Sequence, residues 1–454
     1  MAAASVLGPA AAEAQGIRMI RDAEIEHTIR AFATPLLQAA GLDPLAVTFY
    51  LIQDDSLNAF VAGGQNMFLH TGLLKRVDSP NQLIGVMAHE IGHISGGHLV
   101  RMRDELDAAF WKQIATTLVG IAAGVATGRG DVGTAVMAGS QGSVIRGVLA
   151  FSRSQESQAD QAGVRYLELT GQSSRGLADF LSILSGQELL LSNNQDPYVR
   201  THPITRERIE SVRAHMERSP YSGKRDLPVH IEAQERMRAK LVAYLESPVA
   251  ALRRYPERDA TIAGRYARAI AYFRQAEFAR ALAGIDGLIA ERPNDPFFHE
   301  IRGEILYNSQ RIQESVTSYR KAVALMPGSA LLRYALAAPL DALGGAERLQ
   351  EAAAHLEESV RIDRENGSAW RLLGIVYVKL GEATGRQDQT GLGQLALAEY
   401  EVLAGCKLEA IGKANIALRL LPRGSPGWNR AQDIVEAIKV AQRDDRPLRP
   451  CGLR

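Results

Sequence analysis

The sequence is poor in cysteine, in net charge and in long apolar runs, and each shortage excludes a class of protein. Two cysteines, Cys406 and Cys451, are too few for a disulfide-stabilised scaffold in 454 residues, although they could pair in an oxidising compartment or stay as unpaired small residues. The 52 basic and 51 acidic side chains nearly cancel, which argues against nucleic acid as a partner. No run reaches the roughly 18 consecutive apolar residues that a membrane-spanning helix needs.

The hydrophobic content and the length of the chain indicate a multidomain protein with substantial hydrophobic cores. Hydrophobic residues make up 46% of the chain, and this length corresponds to about two to four domains. The stretch nearest to a membrane span, residues 114–127, is short and rich in small residues. We interpret it as a buried core helix; the alternatives are a segment that touches a membrane surface or one that plugs a cleft.

The first 14 residues are rich in alanine and end in Ala12-Glu13-Ala14. This A-x-A form is typical of a signal-peptide cleavage site, but a basic start is missing and the apolar stretch is short. We therefore predict that residues 1–14 are the remnant of a secretory signal that starts further upstream. The alternative is an alanine-rich leader on a cytoplasmic protein.

The most specific motif is HExxH at residues 89–93, which is typical of metalloproteases. Residues four apart on a helix share a face, so His89 and His93 can reach one metal ion. Glu90 lies one step round the helix, where it can take a proton from water. Ser79-Pro80 predicts the start of this helix, and Gly96-Gly97 predicts its end. The alternative is a helix that carries these three residues without binding a metal. A buried apolar helix has little reason to contain two histidines and a glutamate at this spacing.

A zinc protease uses three protein ligands and keeps one position open. A third histidine at the usual place in the helix motif would stand at Leu99, so His98 misses by one and is predicted to be a surface or second-layer residue. Glu156 and Asp160 lie four apart on another predicted helix. Glu156 could ligate the metal while Asp160 accepts the N–H of a ligating imidazole; the alternative is an acidic helix face exposed to water.

These motifs resemble the HtpX/BepA-type zinc metalloproteases, a gluzincin family with HExxH followed by ExxAD on a second helix. Residues 58–64 and 67–74 look like the β-hairpin that precedes the family's metal helix, and residues 201–209 look like its HPxTxxRI segment. The resemblance covers roughly residues 25–215. It is specific because four separated motifs occur in the right order.

The resemblance implies a role for each matching residue. His89, His93 and Glu156 would bind one Zn2+ per chain, and Glu90 would be the general base. Asp160 would support a ligand from the second layer. His202 could approach the zinc as a regulatory residue; the alternative is a loop histidine held in place by Pro203.

The strand around Phe60, Val61 and Ala62 is predicted to pair with an extended substrate chain. Such pairing recognises the backbone more than the side chains, which suits an enzyme that cuts unfolded chains with little sequence preference. An ordinary hairpin is the alternative, and the two interpretations are compatible.

The C-terminal half has the pattern of tetratricopeptide (TPR) repeats. Pro293 and Pro327 are 34 residues apart, which is the repeat period, and residues 370–377 match the start of a repeat. About four helix pairs are predicted, with a Gly/Gln-rich interruption at 381–393. Such an array presents a concave groove for peptides or proteins; the alternative is a structural brace for the N-terminal half.

We therefore predict a mainly α fold with a small β-hairpin or sheet, in which a gluzincin-type metalloprotease domain precedes an α-solenoid of TPR repeats. The predicted segments are a signal remnant at 1–14, the protease domain at 15–230, a bridging helix or linker at 231–260, the TPR-like domain at 261–441 and a basic tail at 442–454.

The resemblance, narrowed by the TPR half, implies a periplasmic zinc-dependent endopeptidase that degrades misfolded or stalled envelope and outer-membrane proteins. Unfolded or misassembled proteins are the expected substrates, and the outer-membrane β-barrel assembly machinery is the expected TPR partner. Peripheral contact with a membrane stays open, and nucleic acid is not expected. The alternative is a TPR chaperone or scaffold for outer-membrane protein assembly whose zinc site is latent.

Overall fold

The computed structural model describes residues 18–99, 152–185, 197–442 and 451. The predicted signal remnant, the apolar stretch at 114–127 and most of the predicted basic tail lie outside these residues. Where the chain is described, it is mainly α-helical with one small sheet, as the sequence predicts. None of the helices in this part is both long enough and apolar enough to cross a membrane.

One four-stranded sheet lies in the N-terminal half. Its strands are β1 (Met19–Ile20), β2 (Thr48–Ile52), β3 (Ala59–Ala62) and β4 (Asn66–His70). The order is β1-β2-β4-β3, with β2 and β4 parallel and the other two neighbouring pairs antiparallel. The predicted hairpin is β3–β4, and its turn uses Gly63 and Gly64 at φ of 60° and 103°, a conformation that favours glycine. Strand β3 therefore forms one edge of the described sheet.

The helices of the N-terminal half pack around a buried central helix, α3. They are α1 (Ala23–Ala39), α2 (Thr71–Arg76), α3 (Pro80–Ser95), α4 (Arg153–Leu169), α5 (Arg175–Leu184), α6 (Pro197–Thr201) and α7 (Arg206–Arg218). Helix α3 begins as predicted, because the Ser79 hydroxyl accepts a hydrogen bond from the Gln82 amide at 3.3 Å and Pro80 occupies the first turn. It ends at Ser95, and Gly96 is its C-cap.

Two glycines allow α3 and α4 to approach closely. A Cβ atom on Gly92 would lie 2.6 Å from the Ala159 carbonyl oxygen, and a Cβ atom on Gly163 would lie 3.1 Å from the His89 amide nitrogen. Only a residue without a side chain leaves this space free. The two helix backbones consequently meet where they carry HExxH and ExxAD.

A long helix lies between the two halves, largely within the segment predicted as a bridging helix or linker. This is α8 (Pro228–Leu245), and a short helix α9 (Pro248–Arg254) follows it. Arg236 on α8 binds Glu24 of α1 at 2.6 Å and Asp295 of the C-terminal half at 2.5 Å. Lys240, which is 1% exposed, lies 2.8 Å from Asp22 and 3.3 Å from Glu300. Buried ion pairs therefore connect the start of α1 to the repeat domain through α8.

Five successive helix pairs make up residues 262–442, one pair more than the sequence analysis predicts. The helices are α10 (Ile262–Arg274), α11 (Phe278–Glu291), α12 (Pro296–Asn308), α13 (Ile312–Leu325), α14 (Ala330–Leu343), α15 (Ala346–Ile362), α16 (Gly367–Thr384), α17 (Gln387–Leu403), α18 (Lys407–Leu420) and α19 (Pro426–Gln442).

The additional pair arises because the Gly/Gln-rich segment is helical rather than an interruption. Only Gly385 and Arg386 separate α16 from α17. A Cβ atom on Gly393 would lie 2.8 Å from the Gly374 carbonyl oxygen, so these two glycines allow close helix packing and do not form a loop.

A disulfide bond joins Cys406 to Cys451. The sequence left open whether these two cysteines pair or stay unpaired, and the structure shows that they pair.

Candidate metal centre

Four side chains with metal-binding atoms converge between α3, α4 and the segment that follows α6. One ligand atom from each of His89, His93, Glu156 and His202 lies within 4.8 Å of the others. All four side chains have 0% exposure. The structure thus brings together the three predicted ligands and the predicted regulatory histidine, which are distant in sequence.

The distances among the three predicted ligands fit a zinc ion. Ligands placed about 2.0–2.1 Å from a tetrahedral ion are separated from each other by about 3.3 Å. His89 Nε2 is 3.1 Å from His93 Nε2 and 3.4 Å from Glu156 Oε2. His93 Nε2 is 3.2 Å from Glu156 Oε1. The set of two imidazoles and one carboxylate also suits zinc chemically.

His202 lies at the fourth corner of this arrangement. Its Nδ1 atom is 3.0 Å from Glu156 Oε1 and 3.4 Å from His89 Nε2. Its Nε2 atom is 3.5 Å from Glu90 Oε1. The imidazole therefore lies close enough to the three predicted ligands to be a fourth ligand of the same ion.

The Glu90 carboxylate is buried next to the cluster but belongs to no hydrogen bond with the described residues. Burial raises the pKa of Glu90 above its usual value, although the neighbouring His202 and His89 oppose the rise. A raised pKa makes the carboxylate a better proton acceptor. Its position and chemistry are those expected of a general base.

The protonation of two of the three predicted ligands, His93 and Glu156, also suits metal binding, whereas His89 would release a proton when it binds a metal. Burial lowers the pKa of His93 well below its usual value, so its imidazole is neutral near pH 7. Burial acts against the charge on Glu156, yet His202 and Arg208 outweigh it and hold the pKa of Glu156 well below its usual value. A neutral imidazole and an ionised carboxylate are the forms that coordinate metals.

Asp160 accepts a hydrogen bond from His89 Nδ1 at 2.8 Å, which leaves the His89 Nε2 atom facing the other ligands. Burial alone would lower the pKa of His89, but Asp160 and Glu156 outweigh it and raise that pKa to about 10. The predicted second-layer contact is thus present between α3 and α4.

Arg208 has a structural role that the sequence analysis did not assign. Its guanidinium donates to both oxygens of Asp160, at 2.6 Å and 2.9 Å, and lies 2.6 Å from Glu156 Oε2. It also donates to the Pro203 carbonyl at 2.8 Å. One cation therefore neutralises both carboxylates of α4 and ties them to the segment that carries His202. The sequence signal that could have identified this role is that two buried carboxylates need a buried cation nearby.

Of the two alternatives predicted for His98, the structure selects the second layer and not the surface. Its exposure is 0%, and its Nδ1 atom lies 3.0 Å from Nδ1 of His93. Its Nε2 atom is 3.2 Å from Gln158 Oε1. The helical spacing does not apply to His98, because α3 has already ended and Gly97 turns the chain at a φ of 64°. The residue belongs to the second layer, behind His93.

The predicted substrate-pairing strand lies at the edge of the described sheet and packs against α3. Phe60 is 9% exposed, and Val61 and Ala62 have 0% exposure. Neither the backbone nor the side chains of Val61 and Ala62 reach water. The described conformation is closed to a substrate chain at this strand.

Tyr198 is a further buried neighbour of the cluster that the sequence analysis missed. Its ring stacks on His202, with centroids 4.5 Å apart and planes inclined by 25°. The His202 amide also donates to the Tyr198 carbonyl at 2.7 Å. The sequence contains only a weak signal for Tyr198: it is an aromatic residue one helical turn before a candidate ligand histidine.

Comparison with known proteins agrees with this geometry. Residues 20–216 match the model of peptidase family M48, and residues 264–330 match a tetratricopeptide repeat. The beta-barrel assembly-enhancing protease of Escherichia coli K12 is 24% identical over 444 residues, which cover 94% of this chain and 86% of the relative. A putative protein of the same name from Vibrio cholerae is 28% identical over 290 residues, or 62% of this chain and 58% of the relative.

Among solved structures, MamA from Desulfovibrio magneticus RS-1 aligns with 38% of this chain and 94% of its own length, at 21% identity and a TM-score of 0.31. The family match and the relatives rest instead on the sequence, and they span both halves of the chain. The chain therefore contains a metalloendopeptidase domain that matches peptidase family M48, followed by C-terminal tetratricopeptide repeats, and it is homologous to the beta-barrel assembly-enhancing proteases.

Proposed function

We propose that this protein is a periplasmic zinc endopeptidase that cleaves unfolded or misassembled outer-membrane proteins and is held latent by His202. The observation that carries the proposal is the convergence of one ligand atom each from His89, His93, Glu156 and His202 within 4.8 Å, with Glu90 beside His202. The names of the relatives that align with 94% of this chain support a role in β-barrel assembly. The periplasm is the compartment where such clients pass, and the disulfide bond is compatible with it.

His89, His93 and Glu156 would hold the zinc ion, with Asp160 and Arg208 supporting them from behind. When bound, zinc supplies Lewis acidity, which polarises a carbonyl group and makes water more acidic. Glu90 would take a proton from the attacking water and deliver it to the nitrogen of the leaving amine. These steps need no other side chain as acid or base.

The substrate would lie extended along strand β3. Residues 60–62 would pair with its backbone, since β-augmentation recognises main-chain groups. Unfolded barrel proteins expose such unpaired strands, whereas a closed barrel has no free strand edge. Because residues 61 and 62 are inaccessible in the described conformation, this strand would have to be uncovered before a substrate pairs with it.

The repeat domain would bind the assembly machinery or the client through its concave groove. The ion pairs of Arg236 and Lys240 hold the start of this domain against helix α1 of the protease domain. A client bound by the repeats would therefore be held at a restricted distance from the metal centre. A latent-site chaperone stays as an outcome of the experiment in cells described below.

We expect His202→Ala to raise the rate at which the zinc-loaded protein cleaves unfolded casein or an unfolded barrel protein. If the closed state holds about 99% of the molecules, removing the blocking imidazole raises the competent fraction by up to about 100-fold. An increase of at least about tenfold is the expected result. Cleavage is measured by the appearance of new amino groups, and zinc content by elemental analysis.

His299→Ala is the matched control, because His299 lies on α12 outside the metal centre. It is expected to cleave at the wild-type rate. A His202→Ala protein that retains one zinc and cleaves no faster than wild type would contradict latency. A His202→Ala protein that loses its zinc would instead identify His202 as a permanent ligand.

A further inference from the structure

The Tyr198 hydroxyl is a buried polar group with no use in the described conformation. The residue has 0% exposure, and its Oη atom has no hydrogen-bond partner among the described residues. One face of the ring stacks on His202, and Phe180 meets the ring at 5.2 Å and 85°. A phenylalanine would make both ring contacts without the cost of burying an unsatisfied hydroxyl.

Buried polar groups without hydrogen-bond partners are rare in folded proteins, and each one needs a physical explanation. The Tyr198 ring lies against the metal centre: its centroid is 4.5 Å from that of His202 and 6.5 Å from that of His89. The His202 imidazole also lies 3.5 Å from Glu90 Oε1 through its Nε2 atom, so the tyrosine and the candidate general base border the same imidazole. The hydroxyl can donate a hydrogen bond but is offered no acceptor there.

Peptide hydrolysis creates such an acceptor. As the water oxygen bonds to the scissile carbonyl carbon, the carbonyl double bond opens and its electron pair becomes an oxyanion. Glu90 holds the proton that the water released, and that proton moves to the amine nitrogen when the C–N bond breaks. The oxyanion needs a donor during the interval between these two events.

We propose that the Tyr198 hydroxyl donates a hydrogen bond to this oxyanion. The inference rests on the proposed function of the metal centre and adds a catalytic residue to it. Tyr198 and His202 are stacked neighbours on one short segment, so the space left by the His202 imidazole borders the tyrosine ring. A donor that is unpartnered at rest gains its bond only during the reaction, and such an interaction speeds the chemical step rather than substrate binding.

The test uses the full chain in the His202→Ala background, which is expected to be active, and compares it with the same protein carrying Tyr198→Phe. We expect kcat for a quenched peptide to fall by roughly 100-fold to 1,000-fold, as for other oxyanion donors, while KM and zinc content stay within about twofold. A phosphinic peptide, which mimics the tetrahedral oxyanion, should bind more weakly by a similar factor. The unfolding midpoint should stay equal or rise, because an unsatisfied buried hydroxyl is removed.

Tyr166→Phe is the matched control. Its hydroxyl lies 2.8 Å from the Ser95 hydroxyl, at the exposed end of α3. The control should keep kcat and lose a little stability, the opposite pattern to Tyr198→Phe.

The experiment distinguishes failure of the tyrosine inference from failure of the proposed function. If His202→Ala cleaves, Glu90→Gln does not, and Tyr198→Phe changes neither kcat nor phosphinic-peptide binding, the inference is wrong and the proposed function stands. If neither wild type nor His202→Ala cleaves with zinc bound, the proposed function fails and the tyrosine inference falls with it.

Discussion

Glu90→Gln is expected to lower kcat for peptide cleavage by about a thousandfold, within the range of 10²–10⁴ found for general acid–base groups. Glutamine has nearly the same shape but cannot accept a proton from water. Glu90 is buried, and its carboxylate oxygens accept no hydrogen bond from the described residues, so both oxygens are available to accept a proton. Zinc content should be unchanged, because the distances that fit the ion involve His89, His93 and Glu156.

Glu168→Gln provides the control for this experiment. Glu168 lies on α4 but outside the metal centre, where it pairs with His215 at 3.3 Å. Its cleavage rate should match that of wild type. Retained cleavage in Glu90→Gln would remove Glu90 from the catalytic role.

The same variant separates the two functional hypotheses in cells. If barrel assembly survives Glu90→Gln at the wild-type level, the essential function is that of a TPR chaperone or scaffold. If assembly fails while zinc and partner binding persist, the function is proteolysis.

Arg208→Ala is expected to destabilise the protease domain by about 3–5 kcal/mol, the usual cost of removing one partner from a buried ion pair. Arg208 is 4% exposed and is the cation that contacts both Glu156 and Asp160. Without it, two carboxylates would remain buried near each other. Urea unfolding of the metal-free protein, followed by circular dichroism, measures the loss.

Zinc affinity should fall in the same variant by about 10–100-fold, as for other residues that orient metal ligands. Arg208→Lys should recover only part of both losses, since a single ammonium group cannot bind Asp160 through two nitrogens and still reach Glu156. Competition with a fluorescent zinc chelator measures the affinity.

Arg206→Ala is a control only two residues away. Arg206 pairs with Glu210 at 2.7 Å, but its side chain is 88% exposed, and exposed pairs contribute about 0–1 kcal/mol. Equal stability of the Arg206 and Arg208 variants would show that the buried guanidinium contributes nothing beyond a surface pair.

The metal motifs could be predicted because their geometry is local. His89 and His93 share a face of α3, and Glu156 and Asp160 share a face of α4, at a spacing of one helical turn. The start of α3 at Ser79-Pro80 and the turn at Gly63-Gly64 also depend on neighbouring residues only. Each of these follows from backbone preferences that act over a few residues.

Predictions that depended on the path of the chain were less successful. His98 turned inward because Gly97 reverses the chain after α3, and a helical wheel cannot describe a residue beyond the helix end. The Gly/Gln-rich segment at 381–393 is mostly helical because Gly381 and Gly393 let α16 and α17 approach closely, while Gly385 turns the chain between them. Composition suggested a loop there, since isolated glycine weakens a helix, and packing between neighbouring helices reversed that preference.

By itself, the sequence determined the two metal helices, the hairpin beside them and the repeat pattern of the C-terminal half. Only the tertiary structure decided that Arg208 neutralises the carboxylates of α4, that Tyr198 stacks on His202 and that His202 stands at the fourth corner of the ligand set. It also decided the pairing of Cys406 with Cys451, 45 residues away. Periodicity encodes which residues share a face of one element, whereas contacts between distant elements depend on how those elements cross and on which buried charges must be neutralised.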